Sequence, residues 1–160
     1  MTVARPLISV AIPAFNESAN LDDLVARLQS VFNDLADRYD FEVVICETGS
    51  SDDPYDRLLA IRAVNPRFKI VQLVRNFHME GGMTAALAHV SGDACVIMSA
   101  DLQDPPEMIP RLLEHWEDGY ENVYTVITKR HGEGVARRAA AHVFYWLIDK
   151  VSDRPVPRNA

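Results

Sequence analysis

Ala94-Cys95-Val96-Ile97-Met98-Ser99-Ala100-Asp101-Leu102-Gln103-Asp104-Pro105-Pro106-Glu107 reads as a strand, a loop and a helix start in direct succession. The apolar run, with Asp93 to Ser99 as its outer limits, has the length and composition of a buried strand. Asp104, two prolines and Glu107 form a helix-start signature, with Asp104 expected as the cap. Between them, the Asp101 carboxylate and the Gln103 amide sit two residues apart at the strand end. Two oxygen donors on a short loop suit Mg²⁺ or Mn²⁺, the rest of the shell coming from water and a diphosphate. Spacing alone leaves a plain turn role for Asp101 equally open.

The same alternation of strand and helix extends in both directions. Leu7 to Ile12 is a nearly continuous apolar run, as a sheet covered on both faces requires. After the loop Pro13-Ala14-Phe15-Asn16-Glu17, apolar residues from Leu21 to Leu35 recur at helical spacing. Phe41 to Glu47 is a second strand, Asp53-Pro54 opens a helix to about Asn65, and Lys69 to Val74 is a third strand. A helix from about Glu80 to Val90 leads back to the strand at Asp93. Asn122 to Thr128 is expected as a fifth strand, followed by a last helix to about Val151 with an apolar stripe through Val143, Leu147 and Val151. This order argues a single α/β domain over residues 1–160 with a mostly parallel sheet. Ligands of such sheets bind beyond the carboxyl ends of the strands. The loops 13–17, 47–53, 75–80 and 99–104 would therefore meet at one crevice, which favours a ligand role for Asp101.

Composition removes several classes. The 160 residues carry a formal net charge of -7, which argues against a general nucleic-acid binder. Cys46 and Cys95 fall in apolar runs and read as small core residues of a reducing compartment. No apolar stretch reaches the roughly 20 residues of a membrane span, so a cytoplasmic or peripheral chain is expected. The loop after the first strand holds no glycine, which argues against a dinucleotide fingerprint, and no P-loop or Gly-x-Ser-x-Gly elbow is present. The five histidines lack zinc spacing. Lys129, Arg130, Arg137 and Arg138 are read either as phosphate or membrane contacts or as a solvated face.

The order Val10-Ala11-Ile12-Pro13-Ala14-Phe15-Asn16-Glu17, Glu47-Thr48-Gly49-Ser50-Ser51-Asp52, Arg75-Asn76-Phe77 and Ala100 to Glu107 resembles family 2 glycosyltransferases. It is closest to the branch of dolichol-phosphate mannose synthases and polyprenyl-phosphate glycosyltransferases. The resemblance implies a GT-A, Rossmann-like three-layer sandwich, a UDP- or GDP-sugar donor, a divalent metal (Mg²⁺ or Mn²⁺) and a polyprenyl-phosphate acceptor. It implies inverting transfer at the cytoplasmic face of a membrane, with a homo-oligomer left open. By analogy Pro13, Ala14 and Glu17 hold the nucleoside with Glu47 beside them. Ser99, Ala100, Asp101 and Arg130 face the donor, Asp101 is catalytic, and Asp101 with Gln103 holds the metal. The chain departs from the branch at Thr48, Met79, Ser99 and Ile127, each replacing an expected charged residue. These swaps motivate an alternative, a catalytically degenerate homologue that binds only nucleotide or a partner. The chain ends at Ala160, before the expected acceptor segment and membrane anchor, so the resemblance covers the donor-binding part.

Overall fold

The apolar runs at residues 7–14 and 40–47 become strands buried on both faces, and the amphipathic run at 21–34 becomes a helix that packs on them. The computed structural model describes residues 4–52 and 54–125. Within them lie β1 (Leu7–Ala14), α1 (Leu21–Asp34), β2 (Asp40–Glu47), α2 (Tyr55–Val64), β3 (Phe68–Gln72), α3 (His78–Leu87), β4 (Ala94–Ile97) and α4 (Ile109–Glu117). Single turns of 3₁₀ helix at Ser18–Asn20 and Pro106–Met108 lead into α1 and α4. The strands form one parallel sheet in the order β3-β2-β1-β4, with Ala14 opposite Glu47 and Ala11 opposite Ile97 at the carboxyl end. This is the mostly parallel α/β arrangement the alternation predicts.

Chain packing divides the molecule into two units, Met1–Leu113 and Glu114–Ala160. The first contains the sheet. Its central strands are fully buried: Ile8, Val10, Ala11 and Ile12 in β1, and Val43, Val44, Ile45 and Cys46 in β2. Period-two alternation sends these side chains to opposite layers. Phe41 stacks on Phe32 of α1 with ring centroids 4.2 Å apart. Ala11, Val44 and Cys46 instead pack with Ala86 of α3. In α1, Leu21, Leu24, Leu28, Val31 and Phe32 form the buried stripe. In the described part of the second unit, the His115 ring meets Tyr120 edge-on at 6.1 Å.

Element ends differ from the sequence reading in informative ways. β1 runs two residues further, so Pro13 and Ala14 belong to the strand end. Pairing with β4 has already stopped at Ala11, before the proline that has no N–H to give. Asp104 is not a side-chain cap: the turn at Pro106 starts on Pro105, and the Asp104 carboxylate accepts from the Ser99 N–H at 3.2 Å. Glu107 is held by Arg27 of α1 through two bonds of 2.8 and 2.6 Å. That guanidinium keeps the Glu107 carboxyl down at about 2. Cys46 is buried as expected, but Cys95 on β4 is exposed, because only Val96 and Met98 of that run point into the core. Residues 122–125 form no strand. The rest of the expected fifth strand, the last helix with its stripe, Arg130 and the Asp53 cap lie outside the described residues.

The amino end of the sheet is tied by a polar network that residue order alone does not announce. Glu42 is 6% exposed. Its carboxylate accepts from Ser9 Oγ (2.6 Å), from Ser91 N–H (2.6 Å) and Ser91 Oγ (2.8 Å), and pairs with Lys69 Nζ at 2.6 Å. Burial by itself would raise this carboxyl, but the Lys69, Ser9 and Ser91 hydrogen bonds outweigh it and hold it at about 2. The network joins β1, β2, β3 and the turn before β4.

At the opposite end, Gly49 has φ +75, and a Cβ there would lie 2.8 Å from the backbone of Arg75 and Asn76. Gly49→Ala therefore combines left-handed strain with a backbone clash. It is expected to cost about 2 kcal/mol or more. A chemical denaturation midpoint unchanged from the parent protein would contradict this close packing of the 49 and 75 loops.

Candidate active site

Four strand-end segments meet at a cleft of about 340 Å³ at the carboxyl end of the sheet. β1 and its following loop contribute Pro13, Ala14, Phe15 and Glu17, and the end of β2 contributes Thr48. The loop into α3 contributes Asn76, the first turn of α3 contributes His78 and Met79, and the loop after β4 contributes Ser99, Ala100 and Asp101. Of the donor-site residues expected from sequence, Pro13, Ala14, Glu17, Ser99, Ala100 and Asp101 are thus brought together.

The 99–104 loop is built around Asp101. Ser99 Oγ donates to Asp101 Oδ1, and the Gln103 N–H donates to the same oxygen at 3.0 Å. The Asp104 carboxylate closes the loop on Ser99. Leu102 takes φ +62, a left-handed conformation seldom adopted by a bulky side chain. These constraints fix the Asp101 carboxylate at the cleft while Gln103 is exposed and does not line it. The turn at Leu102 separates the two side chains, which spacing alone had placed in one mouth.

The β1 and β2 ends are clamped together. Ala14 O accepts from the Thr48 N–H at 3.0 Å and from Thr48 Oγ1 at 3.1 Å. Thr48 is 2% exposed, and its methyl group packs where a Cβ on Gly82 would come within 2.5 Å. Glu47 is equally buried and accepts from the Ser50 N–H, which places its carboxylate behind the cleft wall. Asn16, at φ +57, bridges to the next loop by accepting from the Ser51 N–H at 2.8 Å. Asn20 Nδ2 donates to Glu17.

Phe15, Thr48, Asn76, His78 and Met79 line the cleft without having been assigned a role from sequence. Their signal was position: each follows a strand end. Asn16, His78 and Leu102 are the non-glycine residues with positive φ among those described; Asn16 and Leu102 sit in cleft-lining loops and His78 is the first residue of α3. Such conformations concentrate where a site dictates the backbone. Among the described lining residues, Glu17 and Asp101 are carboxylates and no lysine or arginine is present. No group of three or more His, Cys, Asp or Glu side chains among the described residues is placed to hold a metal ion on protein ligands alone.

Comparison with known proteins agrees with this geometry. The model of glycosyl transferase family 2 matches residues 9–157. An uncharacterized glycosyltransferase of Bacillus subtilis, YkcC, is 36% identical over 149 residues, 93% of this chain and 46% of its own length. The undecaprenyl-phosphate 4-deoxy-4-formamido-L-arabinose transferase of Klebsiella pneumoniae is 34% identical over 148 residues, 92% of this chain and 44% of its own. The crystal structure of glucosyl-3-phosphoglycerate synthase from Mycobacterium tuberculosis, with Mn²⁺, uridine diphosphate and phosphoglyceric acid, superposes with a TM-score of 0.58 at 25% identity. That likeness covers 95% of this chain and 53% of the synthase chain. The chain spans about half the length of the curated relatives it matches. With its parallel GT-A-like sheet and its carboxyl-end cleft, the chain belongs to glycosyl transferase family 2.

Proposed function

We propose that this chain is the donor-binding part of a glycosyltransferase that moves a sugar from UDP- or GDP-sugar to a polyprenyl phosphate, with inversion. The observation that carries this is the convergence of Pro13, Ala14 and Glu17 with Ser99, Ala100 and Asp101 on one cleft. Pro13, Ala14 and Glu17 are assigned to the nucleoside, with Glu47 supporting them through the 47–50 turn. Asp101 is assigned to the diphosphate side. Arg130 is kept as a donor-phosphate contact. The undecaprenyl-phosphate transferase among the relatives supports the acceptor class. A lipid acceptor also favours work at the cytoplasmic face of a membrane, although no helix among the described residues is long and apolar enough to cross one.

The charge of the cleft tests whether a divalent cation belongs here. A nucleoside diphosphate is anionic, and a wall bearing Glu17 and Asp101 would repel it. A hard cation held by Asp101 would remove that conflict, and Mg²⁺ commonly needs only one or two protein carboxylates beside substrate phosphates. Asp101 thus fits such an ion, with Gln103 able to reach it only if its exposed side chain turns inward. When bound, the cation would neutralise charge on the leaving diphosphate. In the transfer itself an acceptor phosphate oxygen, already anionic, attacks the anomeric carbon. The bond from that carbon to the donor phosphate oxygen breaks, and its electron pair departs with the diphosphate. No protein base is required; Asp101 and the loop that fixes it supply positioning.

Calorimetric titration with UDP and GDP is expected to give heat with one of them, dependent on Mn²⁺ or Mg²⁺ and abolished by a chelator. No heat with either nucleotide would overturn the donor-site assignment. A binding-only homologue is the second reading, favoured by Ser99, which occupies with a neutral hydroxyl the place next to Asp101. Ser99→Asp is the useful reversion, expected to tighten Mn²⁺ several-fold and raise sugar transfer to undecaprenyl phosphate. Thr48→Asp is not, because it would bury a carboxylate under α3. Tighter metal binding without any transfer would favour the binding-only reading.

A further inference from the structure

We infer that His78 is a diphosphate-binding residue of the donor cleft, its imidazole N–H supplying a donor to a wall that holds no lysine or arginine among the described lining residues. This rests on the donor-cleft reading and goes beyond it. A diphosphate offers acceptors only, so the wall facing it must supply donors. The lining side chains leave few. Thr48 Oγ1 is spent on Ala14 O, and Ser99 Oγ is spent on Asp101. Glu17 and Asp101 are carboxylates. Two N–H donors remain among the described lining side chains, the Asn76 amide and the His78 imidazole. Of these, only the imidazole can also carry positive charge.

The backbone gives an independent reason to single out His78. It sits at φ +61, a conformation suited to glycine, and is held there by Asn76 Oδ1 accepting its N–H at 2.6 Å. Glycine at this position would satisfy the fold at lower conformational cost. An imidazole there brings nothing to the core, since His78 is exposed, and what it does bring is a donor at the cleft wall.

The test compares UDP and uridine binding, both with Mn²⁺, in the 160-residue chain and in His78→Gly, His78→Leu and His78→Gln. Calorimetry reads UDP, and ligand-observed NMR reads the weaker uridine. His78→Gly and His78→Leu are expected to weaken UDP about tenfold, the size of one charge-assisted hydrogen bond. Neither should change uridine. His78→Gln, which keeps an N–H donor, is expected to stay within about threefold of the parent. His78→Gly is also expected not to lower the thermal midpoint, since glycine accepts φ +61 freely. UDP affinity unchanged in His78→Gly and His78→Leu overturns this inference while leaving the donor cleft intact. So does an equal loss of UDP and uridine, which would make His78 a wall rather than a phosphate contact. A parent protein that binds neither UDP nor GDP overturns the donor-cleft reading itself and the inference with it.

Discussion

Asp101→Asn is expected to weaken Mn²⁺-dependent UDP binding about a hundredfold or more and to remove sugar transfer with it. The substitution is chosen to isolate charge from shape. Asp101 Oδ1 accepts from Ser99 Oγ and from the Gln103 N–H, and an asparagine carbonyl accepts both equally well. The loop from Ser99 to Asp104 therefore keeps its form while its anionic charge is lost. Asp101→Asn should show an unchanged thermal midpoint without ligand. It should also lose the stabilisation that UDP and Mn²⁺ give the parent, which by mass action is about 2.7 kcal/mol at a hundredfold excess over the dissociation constant. A variant that retains that ligand-induced shift would remove Asp101 from the donor site. In that event the alignment of the family's segments around this cleft would reflect descent without the expected chemistry.

The second large effect is expected far from the cleft. Glu42→Ala removes the acceptor for Ser9 Oγ, Ser91 N–H, Ser91 Oγ and Lys69 Nζ at once. Ser9 Oγ is fully buried and is left without its acceptor, whereas the exposed Ser91 and Lys69 regain water, and the expected loss is about 2 kcal/mol. Glu42→Gln is the milder control, since the amide oxygen still accepts from Ser9 or Ser91. The same network sets an acid limit. The folded carboxyl is held at about 2 against an ordinary value of 4.5. Its contribution is therefore fully present above pH 4.5 and drains away as pH falls from there toward 2. That contribution amounts to about 3 kcal/mol. Urea midpoints measured from pH 7 to pH 3 should fall more steeply in the parent than in Glu42→Gln. Parallel profiles would show that other carboxylates set the acid limit.

These two residues illustrate how unevenly the sequence disclosed the molecule. Asp101 was legible because a short apolar run, a polar pair and a Pro-Pro helix start follow one another without interruption. Glu42 was not, since a single acid in an apolar strand gives no sign of which serine will meet it. Its partners Ser9 and Ser91 lie 33 and 49 residues away. Arg27 and Glu107 are 80 residues apart, so Glu107 read as part of a local helix signal when it is a tie to α1. Cys95 illustrates the same limit from the apolar side. Its run looked buried throughout, yet among the described residues Val96 is buried while Cys95 and Ile97 on either side of it are exposed.

By itself the sequence determined the alternation of strand and helix, the parallel sheet, and the loops that would converge at its carboxyl end. It also set Asp101 in the loop that follows the β4 strand. All of these depend on periodicity and turn chemistry within a few residues, where the order of side chains is itself the physical cause. Tertiary structure decided which side chains face the cleft: it set Gln103 outside through the left-handed turn at Leu102, put Glu47 behind the wall, and brought His78 in at φ +61. Those outcomes follow from strand order and register, which bring together segments remote along the chain and hold backbones in conformations that the local residues would not choose.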